Sequence, residues 1–391
     1  MANIFFAAFI PGLRDFTAGV IKERLPDVKI HKLLDGAVLF ETETTYDKLN
    51  FFCFNNIFAV INLFERPDGL KALENHLKYI INYDPRSNAV KTNNAGNKND
   101  SGSEISRASI VNLSALTNNS KKINTFRIVV SNGNVPVSVN ENLRAETEKA
   151  VSRLSGLKVN RSLPDTEFWF LFRNEESSRE KSFSVFMKRL TMRASWDKAL
   201  HKGELPPPLA WTLCSMAFLS HNDTVLDPFC GYGSIPKAAL KYFHVTHFTA
   251  CDINADALSY TSRMLNQRRS NSNTKGANII IYNKDFYALP SLIEEKSVDA
   301  IVTDPPWGEF NQVSDDSFYE KMFDVFFKLL KDGGRAVILY SRQSSQRENI
   351  DRFLKAAQSK FIPRKSVPIL LSGKKAVIYS LVKQPIPVYD K

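Results

Sequence analysis

Four aspartates, each following a short apolar run, hold most of the chemistry the sequence offers. The segment Asp227-Pro228-Phe229-Cys230-Gly231-Tyr232-Gly233-Ser234-Ile235 follows Thr224–Leu226 and opens a helical pattern. Glycines at 231 and 233 allow a tight turn and a close backbone approach to a ligand. The unpaired N–H groups at a helix start are open to a carboxylate. Asp252 ends the next apolar run, 25 residues after Asp227, where an acid can accept both hydroxyls of a ribose. Dinucleotide binding competes for this pattern, but it asks for G-x-G-x-x-G, and only Gly231-x-Gly233 is present. A second segment, Thr303-Asp304-Pro305-Pro306-Trp307-Gly308, follows the run Val298–Thr303. The Asp304 carboxylate and the Pro305 carbonyl can both accept hydrogen bonds from an exocyclic amine, and Trp307 can stack on a planar base. Pro305 and Pro306 stiffen the backbone that holds those acceptors. An Asp-Pro-Pro triplet alone can be an ordinary loop. Joined to Asp227–Ile235, with Asp252 and Asp285 each after its own strand, it points to a ligand-binding edge.

The elements that must position these residues alternate from about residue 205 onward. Strands are predicted at Thr224–Leu226, Phe248–Cys251, Asn278–Tyr282, Val298–Thr303 and Arg335–Tyr340, with helices at 234–243, 255–266, 318–330 and 348–359. That rhythm predicts a doubly wound parallel sheet, with ligands at its carboxyl edge. Pro363–Leu371 and Ala376–Val382, joined through Ser372-Gly373-Lys374, read as a terminal hairpin. At the other end, Ile4–Ile10 reads as a strand stopped by Pro11-Gly12, Leu13–Leu25 as a helix, and Val28–Leu33 with Ala37–Glu41 as a hairpin around Asp35-Gly36. A second helix and a strand near Ile57–Phe64 would complete a ferredoxin-like βαββαβ unit. Residues 85–124 carry nine Asn and few large apolar side chains. They are expected to form a flexible insertion, with a short ordered patch at Ile110–Leu116. Structure resumes with a strand at Thr125–Val130, a helix over 141–155 stopped by Gly156, and strands at Glu167–Phe172 and Ser182–Met187. Phe168, Trp169, Phe170 and Phe172 are apolar on both strand faces, which favours core over a base-stacking platform.

Composition narrows the field. The chain has 391 residues, 43% of them hydrophobic, enough for two or three domains with real cores. Its longest apolar stretches, such as Ile57–Phe64, fall far short of the ~20 residues of a membrane-spanning helix. Met1–Ile10 lacks the basic start and small-residue cleavage site of a leader. The four cysteines follow no metal-binding or disulfide spacing, so a reducing, cytoplasmic setting is expected. His244 and His247 lack nearby further ligands, and no metal is expected. The net charge of +11 is uneven: +6 over 121–200, +7 over 351–391 and −2 over 201–350. Basic blocks flanking a slightly acidic one suit a polyanion held beside a separate reaction centre, and equally a merely soluble surface.

DPFCGYGSI followed by TDPPWG resembles the class I S-adenosylmethionine-dependent methyltransferases that modify exocyclic amino groups, and within them the THUMP-containing guanosine-N2 methyltransferases of RNA. The resemblance covers about 205–382 well and 125–190 diffusely. It implies an α/β chain: a Rossmann-like class I methyltransferase domain over 191–391, behind a ferredoxin-like domain at 1–66 and a THUMP-like RNA-binding domain at 67–190. By the same resemblance, Asp227, Phe229, Gly231 and Gly233 line the methionine end of the S-adenosylmethionine cofactor. Asp252 holds its ribose and Asp285 contacts its adenine amine, while Pro207 lies in a segment, Leu205–Ala210, that covers the cofactor. Asp304, Pro305, Pro306 and Trp307 form the amine-binding corner. Tyr232, where a small residue is usual, and Pro236-Lys237, where an apolar–acidic pair is common, depart from the family pattern.

The implied reaction is direct methyl transfer to a nucleobase amine in RNA, tRNA first, with N2 of guanosine as acceptor and a small activating protein as an optional partner. Cys230 sits in the cofactor loop rather than at the Asp-Pro-Pro corner, which argues against cytosine-C5 chemistry. Lys188, Arg189 and Arg193, just before the catalytic domain, are the candidate phosphate contacts; a solvated linker is the alternative. An adenine-N6 methyltransferase on DNA or RNA, and a non-catalytic RNA-binding protein, remain open as other functions.

Overall fold

The computed structural model describes residues 3–45, 49, 52–65, 71–84, 89–90, 123–133, 135–173, 182–190, 200–269, 276–306, 317–341 and 347–384. The chain divides into two compact units, Met1–Ala8 with Ala18–Asn50 and Asn56–Arg193, and Phe9–Thr17 with Phe51–Asn55 and Ala194–Lys391.

The first unit contains β1 (Asn3–Ala8), most of α1 (Arg14–Arg24), β2 (Lys29–Leu34), β3 (Ala37–Thr42), β4 (Asn56–Glu65), α2 (Lys71–Asn82) and the short pair β5 (Tyr83–Asp84) and β6 (Ala89–Val90). After these come β7 (Thr125–Asn132), β8 (Val135–Pro136), α3 (Glu141–Ser155), β9 (Lys158–Val159), β10 (Thr166–Arg173) and β11 (Phe183–Arg189). One nine-stranded sheet runs β2-β3-β1-β4-β11-β10-β7-β8, with β9 beside β7. Its first four strands are antiparallel neighbours in the ferredoxin-like order. The helix expected between β3 and β4 is absent from the described residues there.

The expected boundary at 66/67 is not a break in the sheet, because β4 pairs with β11 from Phe183↔Glu65 to Arg189↔Phe58. An open edge on β4 would expose a row of unpaired N–H and C=O groups, and β11 covers it. Strands on both sides of that expected boundary, β1–β4 and β7–β11, therefore share one sheet. The aromatic run of β10 is core: Phe168, Phe170 and Phe172 are buried, and Phe170 stacks on Phe186 at 4.3 Å. Helix α3 starts where the Asn140 side chain accepts from the N–H of Asn142 and ends at left-handed Gly156, the stop expected from sequence. The Asn-rich segment and its patch at Ile110–Leu116 lie outside the described residues, apart from 89–90 and 123–124.

The second unit contains α4 (Pro207–Met216), β12 (Thr224–Asp227), α5 (Ser234–Tyr242), β13 (His247–Asp252), α6 (Ala255–Arg269), β14 (Asn278–Asn283), a 3-10 turn at Phe286–Ser291, β15 (Val298–Thr303), α7 (Phe318–Leu329), β16 (Leu330–Ser341), α8 (Arg347–Gln358), β17 (Phe361–Leu371) and β18 (Lys374–Lys383). The sheet order is β14-β13-β12-β15-β16-β18-β17. The first five strands are parallel, and β18 inserts antiparallel between β16 and β17. The strand order reverses between β12 and β15, so the crevice beyond their carboxyl ends is the place where such a sheet binds ligands. Pro11-Gly12 packs on the far end of β17, with the Leu370 N–H donating to the Pro11 carbonyl at 3.0 Å. A Cβ on Gly12 would lie 2.0 Å from the Pro368 carbonyl oxygen, and its φ is +95°, so only glycine fits there.

Candidate active site

The register of β12 on β15, Val225↔Ala300 and Leu226↔Ile301, ends both strands side by side. Asp227 and Thr303 finish on neighbouring strands as a result. The Thr303 hydroxyl donates to Asp227 Oδ1 at 2.7 Å, and the Phe229 N–H donates to the same oxygen at 3.2 Å. Asp227 is fully buried, and its Oδ2 has no hydrogen-bond partner among the described residues. Burial pushes this carboxyl up to about 7; the two hydrogen bonds oppose the rise, and the Asp252 charge adds to it. A buried acceptor left open in this way is suited to a cationic donor.

The loop after β12 is braced from three sides. The Cys230 N–H donates to the Cys251 carbonyl at 2.9 Å, the Gly233 N–H to the Cys230 carbonyl at 2.8 Å, and the Thr261 hydroxyl to the Gly231 carbonyl at 2.9 Å. Gly231 and Gly233 both have positive φ, +47° and +78°. A Cβ on Gly233 would come within 2.8 Å of the Thr261 side chain. Asp252 joins the loop from the next strand: its Oδ2 accepts from the Gly231 N–H at 2.7 Å and its Oδ1 from the Asn254 N–H at 2.9 Å. Each oxygen keeps a lone pair for a further donor. Gly233 caps α5, and the helix's first backbone bond runs from the Lys237 N–H to the Gly233 carbonyl. The missing N–H of Pro236 therefore falls in the first turn, where no bond is lost.

The other residues singled out in the sequence lie on the following elements. The Ser234 hydroxyl donates to the Leu205 carbonyl at 3.0 Å and so ties the segment before α4 to the loop; Pro207 opens α4. Asp285 caps the 3-10 turn, accepting from the Tyr287 N–H at 3.1 Å. Phe229 packs against Phe286 and Phe318 at 5.0 and 6.1 Å. Asp304, Pro305 and Pro306 follow β15, with Pro305 buried. Trp307 lies outside the described residues. Cys230 is a free, buried thiol held well above its ordinary pKa by burial, which leaves little thiolate for nucleophilic chemistry.

Two of the predicted phosphate contacts are contradicted. Lys188 is 1% exposed and Arg189 8%, both in β11. Arg189 donates to Glu167 Oε2 at 2.7 Å and to Asn56 Oδ1 at 2.8 Å. Glu167 also accepts from Trp169 Nε1 at 2.9 Å and from Arg127 Nε at 2.8 Å. Burial lowers the Lys188 ammonium to about 8. These cations belong to the interior of the first unit, because β11 is a central strand and not a linker. Arg193 lies outside the described residues.

Sequence reasoning missed Thr303, although its place directly before Asp304 on a strand parallel to β12 was a usable signal. It also missed what surrounds Tyr232. The His201 ring stacks on Tyr232 at 4.0 Å with the planes 5° apart, and Tyr260 meets His201 edge-on at 4.7 Å. The side chain that departs from the family pattern thus has aromatic partners of its own. No sequence spacing links 201, 232 and 260.

A doubly wound sheet of this order, with a glycine loop after its first strand, an acid after its second and Asp-Pro-Pro after its fourth, defines the class I methyltransferase fold. Residues 195–370 match the UPF0020 family, described as RMKL-like, methyltransferase domain. TrmN from Thermus thermophilus superposes with a TM-score of 0.69 over 97% of this chain and 99% of that one, at 20% identity, a likeness of fold. The tRNA (guanine(10)-N2)-dimethyltransferase of Methanocaldococcus jannaschii is 30% identical over 217 residues, 52% of this chain and 58% of the relative. A probable tRNA (guanine(10)-N2)-dimethyltransferase of Methanothermococcus thermolithotrophicus is 30% identical over 136 residues, 34% of this chain and 80% of the relative. The chain belongs to this family of class I RNA guanine-N2 methyltransferases. It spans little more than half the length of the Methanocaldococcus relative and 28% of a bovine relative named as a U6 snRNA (guanine-N(2))-methyltransferase. No helix among the described residues is long and apolar enough to cross a membrane.

Proposed function

We propose that the chain transfers a methyl group from S-adenosylmethionine to the exocyclic N2 of a guanosine in RNA, with tRNA as the first substrate to test. The observation that carries this reading is the 2.7 Å bond from Thr303 to Asp227, which joins the glycine-loop acid to the strand end that continues into Asp304-Pro305-Pro306. A cofactor pocket and an amine-binding corner held by one buried bond suit a reaction whose partners must meet in line.

The residues present fit the cofactor. The open Oδ2 of Asp227 would accept from its ammonium group. The α5 N-terminus and left-handed Gly231 and Gly233 would face its carboxylate. Asp252, pinned by two backbone N–H groups, would accept from ribose hydroxyls. Asp285 would accept from the adenine amine. When bound, the cofactor supplies an electrophilic methyl group on a sulfonium.

The protein's own task is at the acceptor nitrogen, whose lone pair is delocalised into the purine ring. Acceptance of its two N–H protons by the Asp304 carboxylate and the Pro305 carbonyl would localise that pair toward the methyl group. Asp304 would take up or relay the proton released. The names of the relatives, tRNA and U6 snRNA guanine-N2 methyltransferases, support RNA as substrate and guanine N2 as acceptor. A small activating protein stays within the proposal as an optional partner, and a cytoplasmic setting as its expected place.

The test is transfer of labelled methyl groups to total small RNA, digested to nucleosides, with Asp304→Ala beside wild type. Label in N2-methylguanosine that vanishes in the variant is the expected result. Label in N6-methyladenosine would replace the substrate while keeping the corner's role. Cofactor binding without any transfer would indicate that a further component is required.

A further inference from the structure

The basic C-terminal block of the sequence has no role in the site described above. Residues 347–384 hold nine Lys and Arg against two acids. Lys360 pairs with Asp324 at 3.1 Å and Lys383 with Asp332 at 3.3 Å, so those charges are engaged. Arg364 and Lys365 are exposed on β17, the edge strand of the sheet, with no ion-pair partner among the described residues.

The backbone of β17 explains how the two cations come to lie together. Its register on β18 slips between Pro363 and Lys365. In a regular strand, successive side chains point to opposite faces. A bulge breaks that alternation and re-aims a side chain. Here the consecutive residues Arg364, Lys365 and Ser366 all line one groove of about 320 Å³. Its floor is apolar: Phe353 from α8 and Phe361 from β17 are buried beneath it, and Tyr379 from β18 is half-buried at its surface. Pro11 and Gly12 cover β17 near Pro368–Leu370, beyond this stretch.

We infer that the groove between α8 and β17 is an RNA-strand contact on the methyltransferase unit, with phosphates against Arg364 and Lys365 and a base against the half-buried ring of Tyr379. Two adjacent cations over an apolar floor match the makeup of single-strand sites, which track the backbone by charge and hold bases by stacking. The volume of about 320 Å³ lies at the lower end of the range for small-ligand clefts, roughly 300–1,000 Å³. The inference rests on RNA being the substrate, and adds a second anchor to whatever the first unit provides.

The test uses the full chain and a labelled unmodified tRNA transcript, with binding followed across KCl concentrations. The double variant Arg364→Gln/Lys365→Gln is compared with wild type and with a charge-matched control, Lys296→Gln/Lys328→Gln. Losing two phosphate contacts should make the slope of log affinity against log salt shallower by about 1.4–1.8, and should weaken binding roughly tenfold near 0.1 M salt. The control should shift the slope by less than half as much. Cofactor affinity, measured by calorimetry, should match wild type in both variants. A groove variant that binds RNA like wild type or like the control overturns the inference and leaves the face to an acidic protein partner. If such a variant still methylates RNA normally, the proposed function stands without the groove. Wild type that binds no RNA at all overturns both.

Discussion

Asp227→Asn separates folding from ligand binding at one atom. Burial raises the wild-type carboxyl from an ordinary 3.8 to about 7, while the unfolded chain keeps the ordinary value. Folding therefore takes up a proton between about pH 4 and pH 7. Stability contributed by this group is fully present below pH 4 and is lost as pH rises toward 7. At 1.36 kcal/mol per pH unit, the interval amounts to about 4 kcal/mol, an upper figure for a site that can relax. The groups facing Asp227 reinforce the effect: Asp252 repels its charge, and the Cys214, Cys230 and Cys251 thiols are neutral, their pKa values raised by burial. Asparagine keeps the shape, and its oxygen can still accept from Thr303, but it carries no charge. In urea unfolding without cofactor, the variant should gain on wild type by about 3–4 kcal/mol between pH 4.5 and pH 8. Cofactor binding should run the other way. Wild type should bind up to tenfold more tightly per pH unit as Asp227 ionises toward pH 7, and the variant should bind weakly with no such rise. A wild-type-minus-variant stability difference that stays flat across this range would refute the reasoning, as would a variant with wild-type cofactor affinity.

Other expectations follow from individual contacts. Gly233→Ala places a Cβ 2.8 Å from the Thr261 side chain at a φ of +78°, so unfolding should show a loss of about 1–3 kcal/mol. His201→Ala removes the stack on Tyr232; with aromatic pairs worth about 0.5–1.5 kcal/mol, the KM for cofactor should rise roughly two- to tenfold while kcat holds. Glu167→Gln leaves Arg189 without a counter-charge in the interior of the first unit, and denaturation of that unit should show a loss of about 3–5 kcal/mol.

How far the sequence could be read depended on whether the signal was local. Strand–helix alternation is local, so every strand and α-helix of the sheet from Thr224 to Lys383 was legible, though not the 3-10 turn at Phe286–Ser291, and the stop at Gly156 was legible as well. The carboxyl-edge acids were legible because a strand end is a local position, and the parallel order then gathers Asp227, Asp252, Asp285 and Asp304 on one edge. Pairing between distant segments was not legible. Nothing near Phe64 tells that its strand is closed by residues 183–189, and so the pairing across the boundary placed at 66/67 was not foreseen. The same blindness produced the error at Lys188 and Arg189. Two basic residues at the end of an apolar run look like a solvated linker until the partner strands supply Glu167 and Asn56.

Thr303 shows what a cross-strand contact adds to two motifs that are each legible alone. Its hydroxyl is one of two donors to Asp227 Oδ1, and its own backbone leads directly into Asp304. Thr303→Val keeps the branched shape and the strand but removes the donor. A hydrogen bond to a charged group is worth about 1.5–3 kcal/mol. Its loss should raise the Asp227 carboxyl by one to two pH units above about 7, and carry the midpoint of pH-dependent cofactor binding up with it. At pH 7 the affinity should fall roughly tenfold or more, and recover toward wild type as pH increases. If Thr303 also fixes the Asp-Pro-Pro corner, methyl transfer at saturating cofactor should drop further, and that loss should not recover with pH. Calorimetry across pH reads the first effect and single-turnover transfer at high pH reads the second. An unmoved binding midpoint would refute the electrostatic link, and full transfer at high pH would show that the corner holds its shape without the bond.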